Sequence, residues 1–306
     1  MWQQLLKDLQ NGNTKALARS ISFVENEQEG YEELLQALTA RPQAKIIGIT
    51  GPPGAGKSTL VDALIGELLK EEKKVAVLCV DPSSPFNLGA VLGDRIRMSD
   101  WYTNENVFIR SLATRGSMGG LHPKIIEITE LVKAAGYDYV IVETVGVGQS
   151  EIEIAGLADT TIVVVVPEAG DEVQTMKAGL MEIADIFVVN KSDRPDADAF
   201  VKNLRLMLAP AFVQHQQEVP VIKTIASAHT GIEELKNAIS KQQQAGLKNE
   251  RKAWLLAEKA YHLIQQRRMK DIDKTALQKQ VAQQATNSHF NLYQFIQPFI
   301  LPAKKH

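Results

Sequence analysis

The part of the sequence with the clearest chemistry is a glycine-rich stretch that ends in a lysine and two hydroxyl residues. It runs Gly51-Pro-Pro-Gly54-Ala-Gly56-Lys57-Ser58-Thr59, after a short apolar run and before a helix-length segment. Glycines let consecutive backbone amides turn towards a phosphate, and the start of a helix adds the positive end of its dipole. Lys57 can then neutralise phosphate oxygens while the Ser58 hydroxyl ligates Mg²⁺. We therefore predict a nucleotide-phosphate site, with a ligand-free glycine-rich turn as the alternative. The predicted binding residues are Pro53, Gly54, Ala55, Gly56, Lys57, Ser58 and Thr59.

A second motif predicts which base is bound. Asn190-Lys191-Ser192-Asp193 follows another apolar run. A carboxylate accepts hydrogen bonds from the N1–H and 2-amino groups of guanine, whereas adenine offers neither donor and would leave the Asp193 carboxylate unpaired. The aliphatic stem of Lys191 can cover the purine face. Asn190, Lys191 and Asp193 are therefore predicted to bind a guanine nucleotide, GTP or GDP. A turn that caps a helix is the alternative.

A third, shorter stretch follows the last apolar run of the central region. It is Ala226-Ser227-Ala228, and it resembles the loop of GTPases whose backbone amides contact the O6 atom of guanine. Because the string is short and common, the interpretation depends on its position in the chain. Ser227 and Ala228 are added to the predicted nucleotide-binding residues.

Three acidic residues are candidates for Mg²⁺ binding together with Ser58. Asp81 and Glu143 each follow or end an apolar run. A carboxylate that ends a strand beside the phosphate loop holds Mg²⁺ directly or through a water. Asp94, in Leu92-Gly-Asp-Arg95, is the third candidate, and because Mg²⁺ keeps several waters, not all three acids need be direct ligands. The alternatives are a turn or helix cap for Asp81 and a surface charge for Asp94.

Seven short apolar runs, most of them rich in Val and Ile, have to position these motifs. They alternate with helix-length amphipathic stretches, which is typical of a mainly parallel sheet covered by helices on both faces. Ligands bind at the carboxyl edge of such a sheet, and the motifs follow the runs. The predicted fold class is therefore α/β, a P-loop NTPase (G domain). In chain order the runs are Lys45–Thr50, Val75–Val80, Val107–Leu112, Tyr139–Glu143, Thr161–Val166, Ile186–Asn190 and Val219–Ile225.

Changes of pattern divide the chain into three predicted domains. These are a helical N-terminal extension (1–44), the P-loop domain (45–240) and a helical C-terminal arm (241–306). Arg41-Pro42 marks the end of the first zone. The apolar, aromatic stretch 290–301 carries little charge, so we expect it to pack on the body or on a partner.

Composition excludes several classes of protein. The chain has 306 residues, a hydrophobic fraction of 44% and a net charge of −2, and no basic segment indicates a nucleic-acid partner. Its apolar runs are too short to cross a bilayer, and its polar N-terminus does not match a secretory signal. The single cysteine, Cys79, excludes disulfide scaffolds and thiolate metal clusters within one chain. We expect a cytoplasmic protein without membrane segments.

Three strings together resemble the MeaB/ArgK family of GTPases, the chaperones of adenosylcobalamin-dependent methylmalonyl-CoA mutase and its relatives. They are Val80-Asp-Pro-Ser-Ser84, Glu143-Thr-Val-Gly-Val-Gly-Gln-Ser-Glu151 and Ala169-Gly-Asp-Glu-Val-Gln174. The resemblance implies a B12-dependent acyl-CoA mutase as partner and a homodimer formed by the C-terminal arm. It also implies that Asp81, Asp94 and Glu143 belong to the Mg²⁺ and switch network. Asp171 and Lys177 would lie in a mobile loop that contacts the mutase, with a capped surface helix as the alternative.

The catalytic residues are predicted to be Lys57, Glu143 and Gln149. Gly146 is followed by Val147 and not by the glutamine that usually orients the attacking water, so Gln149 is the candidate substitute. A missing arginine finger lowers the rate by about 10³- to 10⁵-fold, so we predict slow intrinsic hydrolysis that the partner accelerates. The arginines that could approach the γ-phosphate are Arg95, Arg97, Arg110 and Arg115.

Three other functions remain open from the sequence. A nickel or zinc metallochaperone GTPase would carry Cys/His clusters. An ATP-dependent regulator of amino-acid transport, an ATPase or a kinase, would not need a guanine-selective motif. A GTP-binding scaffold would bind nucleotide without hydrolysing it.

Overall fold

An all-parallel, seven-stranded sheet forms the centre of the described part of the chain. The computed structural model describes residues 2–39, 43–81, 98–114, 121–144, 146, 150–169, 178–215, 219–244, 250–269, 271–285 and 290–300. In chain order the strands are β1 (Lys45–Thr50), β2 (Val75–Asp81), β3 (Val107–Ala113), β4 (Tyr139–Glu143), β5 (Thr160–Val165), β6 (Ile186–Val189) and β7 (Val221–Lys223). The predicted α/β fold is confirmed, and each of the seven apolar runs overlaps a strand, with ends that differ by up to two residues.

The strand order is β3-β2-β4-β1-β5-β6-β7, which places β1 in the middle between β4 and β5. The register sets Ile49 of β1 opposite Glu143 of β4, and Cys79 of β2 opposite the same Glu143. The carboxyl ends of β1, β2 and β4 therefore meet at one edge of the sheet. This is the edge at which the phosphate loop and two of the predicted metal ligands leave their strands.

The other long elements of the described ranges are helices. In chain order they are α1 (Trp2–Gln10), α2 (Thr14–Glu25), α3 (Tyr31–Gln36), α4 (Lys57–Leu69), α5 (Ile125–Ala134), α6 (Ser150–Leu157), α7 (Ala178–Ile183), α8 (Ala197–His215), α9 (Ile232–Gln244), α10 (Glu250–Arg268), α11 (Lys274–Gln284), α12 (Leu292–Phe295) and α13 (Gln297–Ile300). Short 3₁₀ turns lie at Ser99–Trp101, Pro167–Ala169 and Ala226–Ala228.

A large apolar cluster fixes the helix that follows the phosphate loop. Leu60, Leu64 and Leu68 of α4 are buried against Ile47 and Ile49 of β1. Burial of a side chain of this size contributes about 1.5–3 kcal/mol. The start of α4, and with it Lys57 and Ser58, is therefore held at the carboxyl end of β1.

The N-terminal helices are attached to the sheet by a polar cluster as well as by apolar packing. The Arg110 guanidinium of β3 donates to Glu25 Oε2 at 2.7 Å and to Ser22 Oγ at 3.1 Å, both on α2. The imidazole Nε2 of His122 lies 3.5 Å from Glu25 Oε1. Because the Glu25 side chain is only 9% exposed, these partners compensate much of the cost of burying its charge.

A second group of polar contacts joins Lys124 to residues of the N-terminal segment. Lys124 Nζ pairs with Glu27 Oε1 at 2.7 Å and lies 5.0 Å from the centre of the Tyr31 ring. Burial acts to lower the pKa of Lys124, but the hydrogen bond and the charge of Glu27 outweigh it, so the pKa lies above its ordinary value. Lys124 therefore stays protonated and keeps both contacts at neutral pH.

Replacing Glu25 with alanine is expected to lower the free energy of unfolding by about 2–3 kcal/mol, because Arg110 and His122 would lose a buried carboxylate. Urea unfolding followed by circular dichroism measures this change. The control is Glu29→Ala, which removes an exposed carboxylate four residues further on and should change stability by less than about 0.5 kcal/mol. Equal midpoints for the two variants would contradict the role assigned to Glu25.

The chain forms two compact units, Met1–Ala253 and Trp254–His306. In the second unit the ring centres of Phe290 and Phe295 are 5.8 Å apart, and those of Phe295 and Phe299 are 5.6 Å apart. The predicted helical character of the C-terminal region is confirmed. The domain boundaries 1–44, 45–240 and 241–306 stay a prediction. Exposed large apolar side chains in this unit include Trp254, Leu256, Tyr261, Leu263, Ile264, Met269, Leu292 and Tyr293.

Candidate nucleotide-binding site

The phosphate loop connects the carboxyl end of β1 to the first turn of α4. Lys57 begins α4 and is only 7% exposed. Its ammonium donates to the backbone carbonyls of Gly51, at 2.8 Å, and Pro52, at 3.1 Å. The lysine is thus directed back into the loop, where the positive end of α4 also lies. This is the environment that the sequence predicts for a bound phosphate.

Gly56 occupies a position that no other residue fits. Its φ of +85° lies in the left-handed region, and a Cβ built on it would come within 2.4 Å of the Asn190 amide nitrogen. Asn190 is buried and connects three backbone segments. Its Nδ2 donates to the Ala55 carbonyl at 2.9 Å, and its Oδ1 accepts from the Thr224 hydroxyl and the Ala226 amide, both at 3.1 Å. The described contacts of Asn190 therefore hold the loops of the site together.

The predicted base-binding residues lie around Asn190 and its hydrogen-bond partners. Lys191 has a φ of +56°, and its ammonium donates to the Gly54 carbonyl at 2.9 Å, so its side chain extends to the phosphate loop. Asp193 is exposed two residues further on. Ser227 and Ala228 are exposed in the 3₁₀ turn that begins with Ala226, the residue bonded to Asn190. The structure thus brings the phosphate loop and both predicted base-binding motifs together.

The residue that follows the predicted base-binding aspartate makes a further contact. Arg194 forms an ion pair with Glu168, which lies in the 3₁₀ turn after β5. Both side chains are about half exposed, and exposed pairs of this kind contribute at most about 1 kcal/mol. We assign this pair a minor role.

The three predicted metal ligands that the structure describes lie at the ends of β2 and β4 and in the first turn of α4. Ser58 Oγ donates to Glu143 Oε1 at 2.7 Å. Asp81 is buried at the end of β2, the strand next to β4. Ser58, Asp81 and Glu143 therefore supply one hydroxyl and two carboxylates from three neighbouring elements.

Two threonines that the sequence analysis missed lie at the carboxyl ends of β1 and β4, next to the strand end that carries Glu143. Thr144 Oγ1 donates to Thr50 Oγ1 at 2.9 Å, and both side chains are buried. Each threonine comes directly after the last in-register pair of β1 and β4. Their position at two neighbouring strand ends, one residue before Gly51 and two before Gly146, is the signal that could have identified them.

Gly146 lies against the phosphate loop itself. Its φ is +85°, and a Cβ built on it would lie 2.0 Å from the Gly51 carbonyl oxygen and 2.7 Å from Lys57 Nζ. The backbone that follows Glu143 therefore contacts the loop that carries Lys57.

Several predicted residues lie outside the described ranges. They are Asp94, Gln149, Asp171 and Lys177, together with Arg95, Arg97 and Arg115. Arg110 is described, and the suggestion that it approaches the γ-phosphate is wrong. Its guanidinium binds Glu25 and Ser22 on α2 instead.

Two further features of the described residues bear on metal binding and on membrane association. They contain no group of three or more His, Cys, Asp or Glu side chains arranged to hold a metal ion. None of the helices in the described ranges combines the length and apolar character that a membrane span requires.

Comparison with known proteins agrees with this geometry. Residues 17–283 match the family model described as methylmalonyl-CoA mutase-associated GTPase MeaB. A protein of Pyrococcus abyssi named as a GTPase is 48% identical over 248 residues, which are 80% of this chain and 76% of that protein. GTPase ArgK of Escherichia coli is 43% identical over 193 residues, 61% of this chain and 58% of that protein. A crystal structure of an LAO/AO transport system kinase has 28% identity and a TM-score of 0.68, and covers 97% of this chain and 95% of the other. The chain is a P-loop GTPase and belongs to the MeaB family of methylmalonyl-CoA mutase-associated GTPases.

Proposed function

We propose that this GTPase is a chaperone that gates cofactor loading and protection of a B12-dependent acyl-CoA mutase. The observation that carries the proposal is the match of residues 17–283 to a family that is described by its association with methylmalonyl-CoA mutase. The nucleotide site described above supports the GTP-dependent half of this function. The client enzyme is proposed from the family alone.

The site fits Mg²⁺ as the ion that accompanies GTP. Mg²⁺ prefers oxygen ligands and keeps several waters. Ser58 Oγ and Glu143 Oε1 are 2.7 Å apart, and the buried Asp81 carboxylate ends the neighbouring strand. Ser58, Asp81 and Glu143 would therefore hold the ion, with Asp94 as a further proposed ligand. Bound there, Mg²⁺ would neutralise negative charge on the β- and γ-phosphates.

Side chains of this protein would bind the phosphates and the guanine base and orient the attacking water. Lys57 would exchange its contacts with the Gly51 and Pro52 carbonyls for phosphate oxygens, which form stronger, charge-assisted bonds with an ammonium. Asp193 would accept hydrogen bonds from the guanine edge, and Lys191 would lie along the base. Gln149 is proposed to orient the attacking water. The described partners of Arg110 and Arg194 are Glu25 and Glu168. Slow intrinsic hydrolysis is proposed because Val147 stands where a water-orienting glutamine is usual.

Slow hydrolysis suits a timer. The γ-phosphate holds the loops that contact it, and hydrolysis releases them, so the partner senses which nucleotide is bound. We propose that the segment with Asp171 and Lys177 contacts the mutase.

The test combines binding and kinetics with purified proteins. A B12-dependent acyl-CoA mutase should bind the GTPase loaded with a non-hydrolysable GTP analogue, and in single-turnover assays it should accelerate GTP hydrolysis at least about 10-fold. A pulldown from the native cytosol with the same analogue would identify which mutase is the client. Equal single-turnover rates with and without the mutase, together with no binding, would refute the chaperone role and leave the GTPase activity intact.

We further propose a cytoplasmic homodimer formed through the C-terminal region. Trp254, Tyr261 and Ile264 on α10 are each at least half exposed, at 54%, 61% and 50%. Large exposed apolar side chains on one helix are typical of an interaction surface. Sedimentation equilibrium distinguishes one chain from two.

The transport-related alternative rests on the name of one structural relative, an LAO/AO transport system kinase. An ATP-dependent function would require adenine at a site where Asp193 is exposed beside Lys191. Calorimetric titration with GDP and ADP separates the two functions, and tighter binding of ADP would favour the alternative.

A further inference from the structure

We propose that the hydrogen bond between the hydroxyls of Thr50 and Thr144 positions Glu143 against Ser58 and thereby sets the affinity of the site for Mg²⁺. The two threonines would act as positioning residues that touch neither the nucleotide nor the ion. This inference rests on the magnesium site proposed above and adds two residues to its support.

The bond lies where two neighbouring strands separate. β1 and β4 run in register as far as Ile49 and Glu143, and the Thr144 amide still donates to the Ile49 carbonyl at 3.0 Å. The hydroxyls of Thr50 and Thr144 then meet at 2.9 Å, with side-chain exposures of 0% and 2%. Beyond this point the segment after β1 enters the phosphate loop at Gly51, and the segment after β4 continues towards Gly146.

This junction determines how far apart two metal ligands lie. Glu143 is carried by β4, whereas Ser58 is carried by α4, which is joined to β1 through the phosphate loop. Their 2.7 Å contact therefore depends on the spacing between the ends of β1 and β4. The backbone bond from Thr144 and the hydroxyl bond next to it join these two strand ends directly, before the chain reaches the contact of Gly146 with Gly51.

Mg²⁺ is more sensitive to this spacing than the nucleotide is. It demands near-ideal octahedral geometry, at about 2.0–2.1 Å from each oxygen, and a small displacement of one carboxylate is costly. Guanine binding depends on loops after β6 and β7, and the Lys57 contacts lie within the phosphate loop itself. Loss of the hydroxyl bond should therefore weaken Mg²⁺ binding and leave metal-free GDP binding nearly unchanged.

A purely structural role makes a different prediction, and a double variant separates the two. Thr50→Val or Thr144→Val alone leaves one buried hydroxyl without this partner, which lowers stability. The double variant removes both hydroxyls at almost constant volume, so its stability should return close to that of the wild type. If the bond positions Glu143, the Mg²⁺ defect must persist in the double variant.

The experiment measures release of a fluorescent GDP analogue from the full chain as Mg²⁺ is titrated, with EDTA as the metal-free reference. We expect the half-saturating Mg²⁺ concentration to rise about 10-fold in both valine variants and in the double variant, as for other residues that support metal ligands. GDP affinity in EDTA should stay within about 3-fold, because the residues predicted to bind the nucleotide are unchanged. Thr144→Ser, which keeps the hydroxyl, should remain within about 2-fold of the wild type.

Urea unfolding of the same variants supplies the second measurement. A double variant that regains both wild-type stability and wild-type Mg²⁺ affinity would overturn the inference, and so would unchanged Mg²⁺ affinity in every variant. Should a single valine variant not fold, the double variant and Thr144→Ser decide alone. A wild-type protein whose GDP release ignores Mg²⁺ would instead refute the proposed magnesium site, and this inference with it.

Discussion

Replacing Gly146 with alanine is expected to reduce the rate of GTP hydrolysis by about 10³-fold, which corresponds to about 4 kcal/mol of transition-state stabilisation. A Cβ at this position would lie 2.0 Å from the Gly51 carbonyl oxygen and 2.7 Å from Lys57 Nζ. The Lys57 side chain can move aside, but the Gly51 carbonyl belongs to the backbone of the loop. The backbone segments that carry Gly51 and Gly146 must therefore separate by about 1 Å. A displacement of that size costs about 10²-fold in rate. Disturbance of the Lys57 charge accounts for the remaining factor.

Gly146→Ala would also strain the backbone, and this effect has to be distinguished from the steric contact with Gly51. Gly146 has a φ of +85°, where an L-residue is disfavoured by about 1 kcal/mol. Gly12→Ala is the matched control, because Gly12 has a φ of +77°, lies in the N-terminal extension and has its nearest neighbour at 3.7 Å. It should lose a similar amount of stability and keep full single-turnover hydrolysis. A Gly146→Ala rate within about 3-fold of the control would show that the contact with Gly51 is unimportant.

Replacing Asp193 with asparagine should weaken GDP binding by about 10²-fold, or about 2.7 kcal/mol. The carboxylate would accept from both donors of the guanine edge, and hydrogen bonds to a charged group contribute about 1.5–3 kcal/mol each. An amide offers one acceptor and turns its own N–H₂ towards the guanine amino group, so one favourable contact becomes unfavourable. Calorimetry with GDP and GTP measures the loss.

The same substitution should improve binding of xanthosine diphosphate. Xanthine carries a carbonyl where guanine carries the 2-amino group, so the asparagine N–H₂ has an acceptor to meet. The control is Asp196→Asn, three residues away and equally exposed, which should leave both affinities unchanged. If Asp193→Asn binds GDP as the wild type does, guanine selection must be assigned to another group.

The strands and the phosphate loop could be predicted because their signals are local. A run such as Ile186–Val189 is apolar throughout since both faces of the sheet are covered, and no distant contact is needed to recognise it. The glycine and lysine spacing from Gly51 to Thr59 likewise fixes the chemistry of the loop. The strand predicted from Ile186 to Asn190 ended one residue too late. β6 ends at Val189, because the side chain of Asn190 forms hydrogen bonds with the backbone of Ala55 and Ala226.

The contacts that the sequence did not reveal are those set by register and by distant pairing. Thr50 and Thr144 are 94 residues apart, and only the alignment of β1 with β4 makes them neighbours. Arg110 and Glu25 are 85 residues apart, and nothing in the order of residues distinguishes Arg110 from the other arginines between the two acidic motifs. Side-chain partners of this kind follow from tertiary packing and not from a motif.

The position of Lys57 has a consequence for how fast the nucleotide can be exchanged. In the structure the ammonium bridges two carbonyls of its own loop, at 2.8 and 3.1 Å. Because Lys57 is held by carbonyls of its own loop, a phosphate that binds there exchanges one set of oxygens for another around a charge that is already in place. The entropic cost of ordering the Lys57 side chain is met when the chain folds. Binding of each nucleotide therefore does not include that cost again.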